Sequence, residues 1–217
     1  MSDLTDEQQV EQLKAWWQEN GKTLLAVIGL GIVGSVGWLK WQDSQLDARQ
    51  DASAVFQRAN DAADRNDAIT LDLRIKDLKE QYGDSPYVTL AELRKAALLL
   101  ADGDAAEART TLEALKQRER GSELEPLIAS RLARIALYLD DPDGALAALN
   151  GVDSGKFEPF FQEIRGDAYV ALGEAGAARD AYQAALDDPG QPQLIDVSYV
   201  GIKLAQLASD EETVATP

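Results

Sequence analysis

The sequence contains no histidine and no cysteine. That removes imidazole acid/base catalysis, thiol nucleophiles, haem ligation and the usual zinc sites together. It also excludes a lipid anchor on cysteine, and it leaves the compartment open, because a reducing cytosol and a disulfide-free periplasmic domain fit equally well. Positive charge is scarce: 21 Lys and Arg stand against 38 Asp and Glu, for a formal net charge of −17. A phosphate backbone is held by Lys and Arg, so nucleic acid is disfavoured as a partner, and an anionic lipid surface is disfavoured for the same reason. The catalytic class left standing is an enzyme built from carboxylates alone, and no cofactor is indicated. No segment shows the alternation of a half-buried strand.

What is present begins with a helix start. Thr5 with Gln8 three residues on forms a capping box, Asp6 and Glu7 suit the positive end of the dipole, and Val10, Leu13 and Trp17 fall on one face. Asn20-Gly21 predicts the end of this helix, so residues 1–22 read as a short N-terminal helix. From Thr23 to Leu39 the run TLLAVIGLGIVGSVGWL carries no charge. Its 17 residues reach about 26 Å as a helix, short but adequate for a membrane span. Lys22 and Lys40 bracket it, and Trp16, Trp17, Trp38 and Trp41, all four tryptophans of the chain, lie near its two ends. A cleavable signal peptide is the main rival. The preceding region is long and acidic, however, and the first A-x-A after the run, Ala52 to Ala54, lies far downstream.

The same run holds Gly29-Leu30-Gly31-Ile32-Val33-Gly34, a literal G-x-G-x-x-G. A dinucleotide fold would need a second apolar strand ending in an acid about 20 residues on, whereas the sequel WQDSQLDARQDAS is polar and helical. The motif is therefore read as accidental. Gly29, Gly31, Gly34 and Ser35 are instead candidates for close packing of a membrane helix against a partner helix, against the plainer view that glycine is common in such helices. Basic residues do not settle orientation, with Lys14 and Lys22 before the run and Lys40, Arg49 and Arg58 after it.

Beyond Trp41, alanine- and leucine-rich stretches broken by Gly, Asp and Pro predict an all-α fold. A repeat of about 34 residues is visible within it. The last unit carries Gly166, Ala168-Tyr169, Gly173, Ala178, Tyr182, Ala185-Leu186 and Pro189, close to the tetratricopeptide pattern. A degenerate unit precedes it with Ala133, Ala136, Asp140, Ala145 and Leu149, and another before that with Ala96, Leu99, Gly103, Ala108 and Leu112. These are packing positions and speak of fold. Gln42 to Tyr82, broken at Asp64 to Asp67, supplies two helices that cap the array, Pro192 to Ser209 a final capping helix, and residues 210–217 a disordered tail. Residues 40–209 thus form an α-solenoid of helical hairpins.

Function falls to the concave surface, which the first helix of each hairpin lines. By register that surface holds Leu90, Leu93, Ala97 and Leu100, then Leu127, Ser130, Arg134, Leu137 and Tyr138, then Phe160, Glu163, Asp167 and Val170. Leu90, Leu93, Leu100, Arg134, Tyr138, Phe160, Glu163 and Asp167 are the candidate protein-binding residues, an apolar groove with a mixed-charge end.

The tract QLKAWWQENGKTLLAVIGLGIVGSVGWLKWQ, followed by an Ala-rich helix and degenerate tetratricopeptide units, resembles the YfgM-type ancillary subunits of the bacterial SecYEG translocon across essentially the whole chain. The resemblance implies a single-pass inner-membrane protein with a cytosolic N-terminus and a periplasmic domain. It further implies a non-enzymatic scaffold that associates with the SecYEG translocon and a membrane-anchored periplasmic chaperone of the parvulin class in trafficking of secreted proteins. Rivals are a self-associating structural protein and a carboxylate-dependent enzyme.

Overall fold

The computed structural model of the chain describes residues 6–83, 85–188 and 194–215; within them, the side chains at 6–9, 12, 13, 23–29, 33, 36, 43–46 and 210–215 lie outside the description. Thr5, Pro189 and Pro192, which carried parts of the sequence reading, also lie outside it. The chain divides into two units between Ala54 and Val55. All the regular structure described is helical.

The first unit is part of α1 (Asp6–Asp64). The helix end expected at Asn20-Gly21 does not form: α1 continues through it. Glycine inside a helix costs only about 1 kcal/mol relative to alanine, and here Trp17 lies over Gly21, its Cε2 3.2 Å from where a Cβ would stand. Asn20 uses its amide locally, donating from Nδ2 to the Trp16 carbonyl at 3.1 Å. Among the described residues no helix is long and apolar enough to cross a membrane. The run Thr23–Leu39 is helical throughout, but residues 23–29, 33 and 36 lie outside those whose side chains are described. The others leave much apolar surface open, with Leu30, Ile32, Trp38 and Leu39 all more than half exposed.

The second unit is a succession of hairpins. It contains the end of α1 with α2 (Ala68–Gln81), α3 (Pro86–Ala101) with α4 (Ala105–Arg118), α5 (Glu125–Tyr138) with α6 (Pro142–Leu149), α7 (Glu158–Ala171) with α8 (Ala175–Asp187), and α9 (Val197–Ala215). Each hairpin turns in the same way. One left-handed residue ends the first helix, at Asn66 (φ 57°), Gly103 (93°), Asp140 (59°) and Gly173 (76°). The following amide then donates back five residues: Asp67 to the Ala62 carbonyl, Asp104 to Leu99, Asp141 to Ala136 and Glu174 to Tyr169, at 2.8–2.9 Å. This arrangement satisfies helix-end carbonyls, and Gly, Asn and Asp are the residues that tolerate its backbone. Asp67 and Asp141 also cap the next helix, accepting from the amides of Thr70 and Gly144.

The expected three hairpins are therefore present, and a fourth is added. The segment read as a cap shares their register: buried Ala59, Ala96, Ala133 and Gly166 recur at intervals of 37, 37 and 33 residues, as do Leu71, Ala108, Ala145 and Ala178. Its turn, like that between α5 and α6, lacks glycine. The main core runs from Leu93 to Ala168, with Phe161, Ile128 and Leu112 at its centre. A second cluster joins α8 and α9 through Ala178, Tyr182, Ala185, Val200 and Leu207. The helix α9 continues to Ala215, so the tail expected to be disordered from Asp210 is helical backbone over its first six residues.

Candidate partner-binding groove

The first helices α3, α5 and α7 present the predicted positions in register, and burial sorts them. Leu93 is 2% exposed and belongs to the core, so it is not a groove residue. A leucine at the point where α3 meets the next hairpin is consumed by that packing. Leu90, Leu100 and Phe160 are half-buried against the core. Ser130 is buried too, its Oγ donating to the Leu127 carbonyl at 2.8 Å. Ala97, Arg134, Tyr138 and Val170 remain open to solvent, Tyr138 at 67% exposure.

At the C-terminal end the structure brings Arg134, Tyr138, Glu163 and Asp167 to one open cavity of about 500 Å³. Its remaining wall comes from Leu137, Ala171 and two α9 residues, Tyr199 and Lys203. The Arg134 guanidinium lies 4.4 Å from the centre of the Phe160 ring and 3.6 Å from Glu163 Oε2. Glu163 is buried, and its other oxygen accepts from Lys203 Nζ at 3.0 Å. Lys203 also donates to both oxygens of Asp167, at 2.7 and 2.9 Å. Asp167 in turn accepts from the Tyr182 hydroxyl at 2.6 Å.

These contacts set the protonation of the cluster. Burial alone would lower the Lys203 ammonium, but hydrogen bonds and charge from Asp167 and Glu163 outweigh it and hold the group above the ordinary lysine range. Burial, reinforced by the hydrogen bond to Asp167, raises the Tyr182 phenol well above its usual value. Two carboxylates thus converge in a cavity, the geometry an acid/base enzyme would need, but their oxygens are engaged by a lysine, an arginine and a tyrosine.

Helical register points to four of the six polar and aromatic side chains of this cavity but not to Tyr199 and Lys203. A signal was there: Lys203 is the sole basic residue of α9 and sits between Val200, Leu204 and Leu207 at helical spacing. A charge inside an apolar stripe needs a buried partner. Of the proposed membrane-packing residues, Gly29 lies outside the described side chains. Gly31 and Gly34 face open space, and Ser35 donates to its own helix at the Gly31 carbonyl, 2.7 Å away.

The family model for the tetratricopeptide repeat-like domain matches residues 14–209. Proteins named ancillary SecYEG translocon subunit align over most of the chain. The one from Haemophilus influenzae is 28% identical over 87% of this chain and 92% of its own length. That from Escherichia coli is 27% identical over 89% and 93%, and that from Neisseria gonorrhoeae 26% identical over 95% and 97%.

Proposed function

The chain belongs to the tetratricopeptide repeat-like family, and from that premise we propose that it is a non-enzymatic adaptor of the Sec translocon, anchored in the bacterial inner membrane. The observation that carries this reading is the alignment of most of the chain with relatives named ancillary SecYEG translocon subunit, beside a family-model match over residues 14–209 that takes in the apolar tract as well as the repeats. A helical array supplies an extended concave surface for another protein. Residues 23–39 are the anchor in this reading, with residues 1–22 cytosolic and 40–209 periplasmic. The uncharged run between Lys22 and Lys40 and the exposed Trp16, Trp17, Trp38 and Trp41 at its ends support it. Gly29, Gly31, Gly34 and Ser35 are its helix-packing residues.

The concave face, with Leu90, Leu100, Arg134, Tyr138 and Phe160, takes the protein partner. A membrane-anchored periplasmic chaperone of the parvulin class, implied by the family resemblance, is the second partner proposed. Crosslinking in intact membranes tests the whole reading. Adducts with translocon subunits or with such a chaperone are expected, and self-adducts alone would reject it in favour of a self-associating structural protein.

A further inference from the structure

The end of the groove is already occupied. Glu163 and Asp167 are concave-face positions of α7 by register, yet both are satisfied by Lys203 of the chain's own α9. Val200 and Leu207 are buried beside Tyr182, and Leu204 packs against the same cluster. The main core is assembled from residues of α3 to α7 and draws nothing from α9. No helix follows α9 among the described residues, and its Tyr199, at the cavity wall, and Ile202 are each more than half exposed. Removing α9 would leave that core intact while uncovering an apolar strip on α8 and a pair of carboxylates lacking their main cation. Such a vacated surface asks for one kind of replacement.

We propose that α9 is a displaceable strap that fills the groove end as a pseudo-ligand, and that the natural occupant is an amphipathic helix presenting one lysine or arginine between apolar residues spaced like Val200, Leu204 and Leu207 around Lys203. The proposal rests on the concave face being the partner surface. Charge complementarity selects the occupant: an acidic or neutral helix would leave Glu163, which is 5% exposed, with only the more distant Arg134. A partner of this type pays for opening the strap, so its apparent affinity scales with the fraction of chains in which α9 is open.

The test uses the full chain in mild detergent, two variants, and a labelled synthetic peptide of residues 194–209 as the probe. Lys203→Met removes the charge and keeps the stem; Leu207→Ala loosens the far end of α9 without touching the buried acids. In both variants the amides of 197–209 are expected to exchange about tenfold faster than in the wild type, while those of 158–187 keep their protection. The peptide is expected to bind each variant about tenfold more tightly than the wild type, and a peptide carrying Lys203→Glu is expected not to bind. If α9 exchanges in step with α7 and α8 in all three proteins, or if the peptide binds the variants no better than the wild type, α9 is a permanent part of the fold and the proposal fails. The assay contains no translocon, so failure of the adaptor reading would appear separately, in the membrane crosslinks.

Discussion

The ring of Tyr182 lies against the bare Cα of Gly166: a Cβ built there would stand 2.9 Å from Tyr182 Cζ and closer still to Cδ1 and Cε1. The glycine lets α7 and α8 approach, and that approach places the Tyr182 hydroxyl on Asp167. A packing residue of the repeat thereby positions the polar end of the groove.

Gly166→Ala should overpack this contact and destabilise the domain by about 1–3 kcal/mol. Thermal unfolding reads it, since that loss lowers Tm by several degrees in a domain of this size. An unchanged Tm would show that the two helices are free to move apart.

Leu93 and Tyr138 should respond oppositely to truncation. Leu93→Ala empties a core site and should cost about 2–5 kcal/mol of folding stability. Tyr138→Ala should stay within about 0.5 kcal/mol of the wild type in stability and weaken partner binding by about 1–2 kcal/mol. Paired melting and affinity measurements decide it; a destabilised Tyr138→Ala, or one with normal affinity, rejects Tyr138 as a groove contact.

The cluster around Lys203 gives alkaline sensitivity. Both Lys203 and Tyr182 are held above their ordinary values in the folded chain, so their contribution is complete below the unfolded values near pH ~10 and disappears as pH rises through the folded ones. An alkaline loss of α9 docking is expected, followed by tyrosinate absorbance together with amide exchange, and Lys203→Met should remove the lysine's share of the pH dependence while leaving that of Tyr182.

The hairpin caps act at the other end of the scale. The Gly144 amide first, then Arg109, lowers the Asp141 carboxyl, and hydrogen bonds from Thr70 lower that of Asp67. Their stabilisation is present above the unfolded carboxylate value and is lost as pH falls through the lower folded values. Asp141→Asn keeps an acceptor for Gly144 but loses the Arg109 pairing, so its stability should fall less steeply on acidification. An acid unfolding curve parallel to the wild type would contradict this.

Residues 23–39, if they are the anchor, should keep the chain in the membrane through carbonate extraction with its N-terminus intact. Ile32→Arg, near the middle of the run, should oppose insertion by about 2.5–3.5 kcal/mol. Recovery of a form beginning after Leu39 would reject the anchor.

The helical class, the three hairpins from Ala96 to Leu186 and their small packing residues were legible because local periodicity and turn chemistry report on backbone conformation directly. Asn20-Gly21 misled for a related reason: a turn-forming pair is only a weak bias, and packing of Trp17 over Gly21 within α1 leaves the helix uninterrupted. The first hairpin reads in sequence as two capping helices because the larger Leu71 stands where the later repeats have Ala108, Ala145 and Ala178.

By itself, then, the sequence determined an all-α repeat with an uncharged apolar tract before it, and the face of each helix on which a groove would lie. Only the tertiary structure decided which of those positions remain accessible. Leu93 and Tyr138 are both predicted groove residues on first helices of hairpins, yet one is enclosed by the next hairpin and the other is not. Lys203 reaches Glu163 across 40 residues of chain, and a pairing at that separation depends on how α9 packs back onto α7 and α8, which no local propensity specifies.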